Sequence, residues 1–284
     1  MLEITPISMN LSVEFRCLEV TYGYLNSEFE KVNNYIFYIS NEERMFTIMS
    51  EGNTLLPDSI ILKKEDYATL KQQTEKSAII TNNSLIIGQI IIRFIQNINC
   101  SLIGVSVNNY NKENFEKNRI VITDFFITSK KKTDFDRLPK RYNKNLNRFA
   151  NALINDDSSV MMLAFSGLVG AGKGLTPAAD DAIIGVLSGY LLILTMKNKS
   201  DIYLKKMNLL VSLLSNEKLT TKVSLKYLRS ACFGEFSQDL YMLIEVLLNN
   251  NKSHILSILQ RIKETGHSSG MDMLFGLKTI LEKI

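Results

Sequence analysis

A run of glycines that ends in a proline and continues into a long uncharged stretch constrains this chain more than any other feature. Gly167–Pro177 holds four glycines within eight positions, and Ala182–Met196 contains no charged residue. Threonine is a common N-cap residue type, and a proline suits the first helical position because its missing N–H would be unpaired there anyway. The apolar stretch is shorter than the ~18 residues of a membrane span. We therefore expect a buried helix that begins at Thr176 and Pro177 and lies at the centre of a helical domain.

Two carboxylates and two more glycines follow this predicted helix start. Asp180 and Asp181 fall in the first turn, where the helix dipole favours negative charge. Asp181, Gly185 and Gly189 share one face at four-residue spacing, so the glycines allow a neighbouring helix to approach closely and leave room beside Asp181. Such a carboxylate pair can bind Mg²⁺, orient an NH₂ group of a ligand, act as a base, or only stabilise the helix. We favour a functional role for Asp181 and leave Asp180 open between function and helix stabilisation.

The glycine turn itself suits an anion. Its backbone N–H groups can converge on a negative charge, and the following helix start adds donors and a positive dipole. The segment almost fits the phosphate-loop pattern GxxxxGK[ST], but Gly174 replaces the hydroxyl residue and Leu175–Pro177 delay the helix. A nucleotide loop is therefore disfavoured, although a plain glycine-rich connection stays an alternative. The predicted ligand-binding residues of this segment are Gly170, Gly172, Lys173, Gly174, Thr176 and Asp180.

A second glycine-rich turn, Gly266–Gly270, precedes the last predicted helix. Histidine can act as acid, base or hydrogen-bond donor, and hydroxyls at a helix start can bind carboxylate or phosphate. Ser269 as N-cap, with Asp272 three residues on, has the spacing of a capping box, so plain capping is the alternative. We expect the two turns to form one site. Its predicted catalytic residues are Asp181 and His267, and its further ligand-binding residues are Thr221, Ser268, Ser269 and Gly270.

A catalytic triad built from Ser268 or Ser269, His267 and Asp181 is disfavoured, because the chain has no GxSxG nucleophile elbow. The other histidine, His254, stands beside Lys252 and Ser253 and is interpreted as a surface residue.

The first half of the chain is rich in β-prone runs. These are Tyr35–Ile39, Met45–Met49, Ser77–Thr81, Leu85–Ile87, Ile90–Ile95, Leu102–Val107 and Ile120–Ile127. Polar turns at Asn41–Arg44 and Asn82–Asn83 indicate hairpins, and one helix is expected around Glu65–Gln73. Helical patterns follow later, at Tyr203–Leu214, Thr221–Cys232, Gln238–Leu248, Ser253–Lys263 and from Ser269 onward. We predict an α+β chain with a strand-rich domain, a small antiparallel barrel or sandwich, at residues 1–133 and a helical ligand-binding domain at residues 134–284.

The cysteine spacing and the net charge limit the kinds of function that this chain can have. The three cysteines are widely spaced and form no CxxC pair, so a zinc cluster is not expected and a reduced, cytosolic compartment is. The net charge of +4 is a mild basic bias that suits an anionic small molecule. The basic residues around 130–148 lack the aromatic interleaving of nucleic-acid platforms, and we interpret them as a linker and a solvated helix face. We expect neither nucleic acid nor membrane as a partner.

The two turns together resemble the motifs of a known family. Gly172–Asp181 with Gly185 is similar to its G-x-G-L-T-P-S-G-D-D motif, and Gly266–Gly270 to its G-H-S-S-G motif. The family includes one subunit type of oxamate carbamoyltransferase, an enzyme of anaerobic allantoin breakdown. A weaker middle segment spans Thr220 to Gly234, and the resemblance covers roughly the last 120 residues. The chain departs from the first motif at Lys173, where proline is common, and at Ala178-Ala179, where Ser-Gly is usual.

The resemblance implies a subunit of a hetero-oligomeric enzyme that converts oxalurate and phosphate into oxamate and carbamoyl phosphate. Another subunit of that enzyme resembles acyl-CoA synthetases. We therefore predict a transferase subunit that acts on a small anionic ureido or amide substrate with phosphate, with the other subunits as partners. No cofactor is required by this prediction, although Mg²⁺ is possible. The alternative is a non-catalytic anion-binding or assembly subunit, because the chain contains no complete catalytic constellation.

Overall fold

The protein is seen in a computed structural model. The residues that it describes are 2–6, 8–10, 24–31, 36–40, 45–73, 77–81, 83–95, 98–105, 110–129, 131–249 and 254–284. They form two compact units, Met1–Cys100 and Ser101–Ile284. The first unit contains the described strands and the second most of the described helices, so the α+β prediction is confirmed.

Nine strands in the described part of the first unit join in one sheet. They are β1 Leu2–Ile4, β2 Ser8–Asn10, β3 Tyr24–Lys31, β4 Ile36–Ser40, β5 Met45–Ser50, β6 Ser59–Leu62, β7 Ser77–Thr81, β8 Ser84–Ile87 and β9 Ile90–Arg93. The order is β1-β9-β8-β7-β3-β4-β5-β6-β2. Neighbours are antiparallel except for the parallel pairs β1 with β9 and β5 with β6. The expectation of a purely antiparallel arrangement was therefore wrong at these two pairs. The loop between β5 and β6 is longer than a tight hairpin, and β1 is remote in sequence from β9.

Two predicted hairpins are present, because β4 pairs antiparallel with β5 and β7 with β8. Tyr35, the turn at Asn41–Arg44 and Asn82 lie outside the described residues. The predicted helix near Glu65 is α1, Lys64–Lys71. Its Tyr67 and Leu70 are buried in one cluster with apolar side chains of the sheet, so the helix covers part of the core.

Nine α-helices and a short 3₁₀ helix make up the described part of the second unit. They are α2 Lys112–Thr128, the 3₁₀ helix Phe135–Arg137, α3 Lys140–Ile154, α4 Ser158–Ser166, α5 Ala178–Met196, α6 Asp201–Leu213, α7 Lys222–Cys232, α8 Gln238–Asn249, α9 Ile255–Glu264 and α10 Ser269–Leu281. The helices predicted after Pro177 are all present, within a few residues of their expected bounds. Ser253, the predicted start of α9, lies outside the described residues.

The predicted strand Ile120–Ile127 was wrong, because these residues belong to α2. Their β-branched and aromatic composition favours strands, but buried Phe115, Asn118 and Ile122 recur at helical spacing. The Asn111 side chain also caps the helix, accepting from the N–H of Asn114 at 3.1 Å.

The division between the units lies at Ser101, earlier than the predicted boundary after Thr133. Phe115 and Ile122 of α2 are buried in the same core as the later helices, so α2 belongs to the helical unit. Leu102–Val107 forms no strand within its described residues, 102–105. Instead Leu102 donates its N–H to the carbonyl of Gly234 at 2.9 Å, and Ser101 forms a single bridge with Glu235.

Helix α5 is the centre of the helical unit, as predicted, and each residue from Ala178 to Thr195 is buried. Among the described residues it is the one helix long and apolar enough to cross a membrane, yet 94% of that stretch is buried by the rest of the protein. This burial is typical of a core helix.

Candidate functional site

The site begins with two helices, α5 and α10, that run side by side in the same direction. A Cβ atom on Gly185 would lie 1.8 Å from the carbonyl oxygen of Met273, and one on Gly189 would meet Leu277 and Ile280. In return, a Cβ on Gly276 would lie 1.8 Å from the carbonyl oxygen of Ala182. The close approach predicted for Gly185 and Gly189 is thus confirmed. Residues further along α5 meet residues further along α10, so the two helices are parallel. Their starts therefore lie at the same end.

Asp180 joins a third helix start, that of α7, to this end of the unit. It is fully buried. One carboxylate oxygen accepts from the backbone N–H of Gly170 at 2.7 Å, and the other accepts from the hydroxyls of Ser224, at 2.6 Å, and Thr220. Burial raises the pKa of Asp180, and hydrogen bonds from Ser224, Thr220 and Gly170 oppose the rise. Asp180 therefore ties the glycine turn to α7 and does not point outwards.

The first glycine turn leaves a series of backbone donors without an acceptor. Gly170 and Gly172 adopt positive φ angles of 78° and 130°, and a Cβ on either would collide with backbone atoms. From Gly172 to Thr176 no backbone N–H meets an acceptor among the described residues. The predicted donor Gly170 is already bound to Asp180, so the available donors begin at Gly172. Lys173 and Gly174 are exposed.

Thr176 does not cap α5, contrary to the sequence-based expectation. The cap position is Pro177, which has no side-chain capping bond, and the helix begins at Ala178. The hydroxyl of Thr176 instead lies 2.9 Å from that of Ser269 in the second glycine turn. This contact brings the two turns together.

The second turn is held mainly by side chains from the segment before the 3₁₀ helix. Lys131 donates from its ammonium to the carbonyls of Lys263 and Gly266, the latter at 3.0 Å. The Ser268 hydroxyl donates to Asp134 at 2.9 Å. His267 is exposed and has no hydrogen-bond partner among the described residues. With Ser268 and Ser269 engaged elsewhere and His267 unpaired, no nucleophilic triad is assembled.

Gly270 and Thr221 were predicted to contact ligand, and both are engaged within the protein. The N–H of Gly270 donates to the carbonyl of Thr265 at 3.1 Å, and a Cβ there would collide with Ile262. Thr221 caps α7 by accepting from the N–H of Ser224 at 3.1 Å, and its hydroxyl donates to the carbonyl of Leu175. Their contribution is to fix the two turns.

Asp181 and Asp272, like Asp180, are buried at the shared end of α5 and α10, with exposed fractions of 3% and 0%. Burial raises the pKa of Asp181 well above its usual range, and the charge of Asp272 adds to the rise. Burial also raises the pKa of Asp272 to about 6, against a hydrogen bond that its Oδ1 accepts from the N–H of Phe135 at 2.9 Å. The predicted capping box is absent, because Ser268 occupies the cap position and Asp272 faces Phe135.

Asp272, Asp134 and Lys131 were not among the predicted site residues. The spacing of Asp272 to Ser269 indicated only a capping box, whereas Asp134 and Lys131 reach the site through tertiary contacts that no local pattern signals. Protein donors occupy both oxygens of Asp180, so a Mg²⁺ ion bound here would have to displace them or use Asp181. Within the described residues, no group of three or more His, Cys, Asp or Glu side chains is arranged to hold a metal ion.

No solved structure matches the chain. Residues 168–281 match the sequence model of a family described as "Oxamate carbamoyltransferase subunit AllH". The matched segment begins in the first glycine turn and ends with α10, so it contains both turns and the three helix starts. This match confirms the family resemblance predicted from the sequence, and residues 168–281 are similar to the AllH family.

Proposed function

We propose that this chain is a subunit of a carbamoyltransferase, and that its helical unit binds a small anionic ureido or amide substrate together with phosphate. The AllH match supports the subunit role. Oxalurate and phosphate, giving oxamate and carbamoyl phosphate, are the reactants that the family resemblance suggests. The remaining subunits of the complex are the partners, and the cytosol is the proposed compartment.

The observation that carries the proposal is the set of free backbone donors at converging helix starts. The N–H groups from Gly172 to Thr176 have no acceptor among the described residues, and the starts of α5, α7 and α10 meet around them. Each helix start adds a positive partial charge, so the three together favour an anion. We call these free N–H groups, from Gly172 to Thr176, the backbone cradle. A phosphate or a carboxylate supplies the negative charge and the acceptor oxygens that these N–H groups need.

The side chains around the cradle have distinct roles in this proposal. Asp181 accepts from an N–H of the carbamoyl or amide group, and the hydroxyls of Thr176 and Ser269 mark the edge of the site. His267, unrestrained on the surface of its turn, donates to the oxyanion that develops on the carbonyl during transfer. Lys173, exposed between two glycines, adds a positive charge near the bound anion.

Calorimetric titration of phosphate and of oxalurate into the intact chain tests the assignment. We expect Asp181→Asn to weaken oxalurate binding and His267→Ala to reduce turnover in the assembled enzyme by about 10²-fold or more, since such donors typically contribute that much. His254→Ala is the matched control, because His254 is the other exposed histidine. Unchanged affinity and activity in both site variants would contradict the proposal.

A non-catalytic anion-binding or assembly subunit is the second candidate. The lack of any partner for His267 among the described residues favours it, because a catalytic histidine is commonly oriented by a second group. Reconstitution with the other subunits separates the two candidates. Turnover that needs this chain but survives the combined loss of Asp181 and His267 would establish the assembly role.

A further inference from the structure

The first turns of α5 and α10 face each other with one buried aspartate on each. Gly185 faces Met273 and Leu277, and Gly189 faces Leu277 and Ile280. The same register, continued one turn toward the N-termini, places Asp181 level with Asp272. Both side chains are buried from water, so each must find its partners inside the protein.

One oxygen of each carboxyl group has no partner. The Oδ2 atoms of Asp181 and Asp272 are buried without a hydrogen bond to any described residue. Two ionised carboxylates side by side in this position would leave two negative oxygens desolvated, unpaired and in mutual repulsion. A single proton removes the repulsion and one of the two desolvated charges, because it turns one acceptor into a donor and gives the remaining carboxylate a partner.

We infer that Asp181 and Asp272 form a carboxyl–carboxylate pair that shares one proton at neutral pH between their Oδ2 atoms. Asp272 is then a positioning residue, because its bond holds the Asp181 carboxyl in one orientation. The other oxygen of Asp181, which the hydroxyls of Ser269 and Thr176 also contact, is then oriented to accept from the N–H of an amide or ureido group. This last consequence rests on the proposed function, whereas the shared proton does not.

The charges around the pair favour retention of the proton. Asp180 and Asp272 both raise the pKa of Asp181, after burial itself, and Asp134 raises that of Asp272. The opposing influences come from neutral donors beside the two carboxyls: the hydroxyls of Ser269, Thr176 and Ser268 and the backbone N–H groups of Phe135 and Asp134.

The nearby cations do not face the pair. Lys131 binds the carbonyls of Lys263 and Gly266, and Arg137 pairs with Asp134 at 2.6 Å. Among the described residues the charged neighbours of the pair are acidic, and no cation binds either carboxyl. A proton is therefore the positive charge that can neutralise one of the two carboxylates.

The proton is tested on the ligand-free intact chain by carbon-13 NMR of aspartate carboxyl groups. We expect one carboxyl to remain protonated at neutral pH, and its signal to disappear in both Asp181→Asn and Asp272→Asn. In each variant the introduced amide donates the hydrogen bond, so the remaining carboxylate ionises. Asp201→Asn, an exposed aspartate in the first turn of α6, should leave the signal in place. A wild-type spectrum in which all aspartates are ionised at neutral pH would overturn the inference.

The positioning role is tested by calorimetry with oxalurate. Asp272→Asn should keep wild-type affinity within about twofold, because its carbonyl still accepts from Phe135 and its amide donates to Asp181. Asp272→Ala should lose about tenfold or more, in line with the loss of a hydrogen bond to a charged group. Equal losses in the two variants would overturn this role. If the wild type binds neither oxalurate nor phosphate, the proposed function fails while the NMR result still decides the shared proton.

Discussion

The two glycine-rich helix starts differ in what they offer to a ligand. The turn before α5 is fixed by bonds at its edges, from Gly170 to Asp180 and from Thr221 to Leu175. From Gly172 to Thr176 its backbone donors are free among the described residues. The turn before α10 is held through its carbonyls and hydroxyls, by Lys131 and Asp134, and carries the exposed imidazole of His267.

This difference suggests that the two turns have separate roles in ligand recognition. A backbone cradle recognises negative charge whatever the chemical identity of its carrier, since it offers only N–H groups and a dipole. Side chains at the second turn can instead distinguish an amide from a carboxylate, since hydroxyl, carboxyl and imidazole groups both donate and accept. Variants that separate the two turns, or that alter one of them, test whether the turns have these different roles.

The largest effect is expected where α5 and α10 cross, because the crossing brings the two turns together. Gly185→Ala places a Cβ 1.8 Å from the carbonyl oxygen of Met273, so the helices must move apart. We expect the free energy of unfolding to fall by about 4 kcal/mol, above the usual cost of overpacking because the obstacle is backbone. Urea denaturation measures it, and Leu163→Ala on the exposed face of α4 is the control. A loss below about 1 kcal/mol would show that the crossing is not tight.

Asp180→Ala should break the first turn and leave the second in place. It removes the acceptor of three donors, one of them buried and two partly buried, and we expect a loss of about 3 kcal/mol in stability together with loss of phosphate binding. Asp201→Ala, at the first residue of α6, should change stability by less than about 0.5 kcal/mol. Phosphate affinity that survives in Asp180→Ala would mean that the cradle does not depend on this anchor.

Asp272 makes the stability of the helix start after the second turn depend on pH. Its folded-state pKa is raised from 3.8 to about 6, so the folded protein holds a proton that the unfolded chain releases. The associated stabilisation is complete below about pH 4 and is lost as pH rises through about 6, to a total of up to about 3 kcal/mol. Urea midpoints across this range should therefore fall with rising pH in the wild type and much less in Asp272→Asn. Equal slopes would refute the assignment.

Much of the helical unit could be predicted from sequence, because its patterns are local. The uncharged stretch after Asp181 identified α5, and the spacing of Gly185 and Gly189 anticipated the tight crossing. The strand predicted at Ile120–Ile127 failed because β-branched composition outweighed the helical recurrence of Phe115 and Ile122. The parallel pair β1 with β9 could not be foreseen, since pairing of strands remote in sequence leaves no local pattern.

The predicted meeting of the two turns is present, since Thr176 contacts Ser269. The roles of the individual residues toward a ligand stay predictions. Glycines and hydroxyls at helix starts look alike whether they bind a ligand or anchor the protein, and Gly170, Gly270 and Thr221 are bonded within the protein. The spacing of Asp272 to Ser269 allowed a capping box as the alternative for this helix start. Only the packing of α5 against α10 shows that Asp272 stands level with Asp181.

The smallest effect concerns Lys173, which lies in the cradle but differs from the proline common in the family. It is exposed and has no partner among the described residues, so its ammonium is free to meet a bound anion. We expect Lys173→Ala to weaken phosphate binding by about 1 kcal/mol, or about fivefold, the upper range for exposed ion pairs. The loss should shrink as salt rises, because an exposed charge is screened over about 8–10 Å near physiological ionic strength. Lys222→Ala, at the exposed first residue of α7, is the control for general electrostatic attraction. Equal phosphate affinities of wild type and Lys173→Ala at both low and high salt would show that Lys173 does not contact the anion. The backbone donors alone would then bind it.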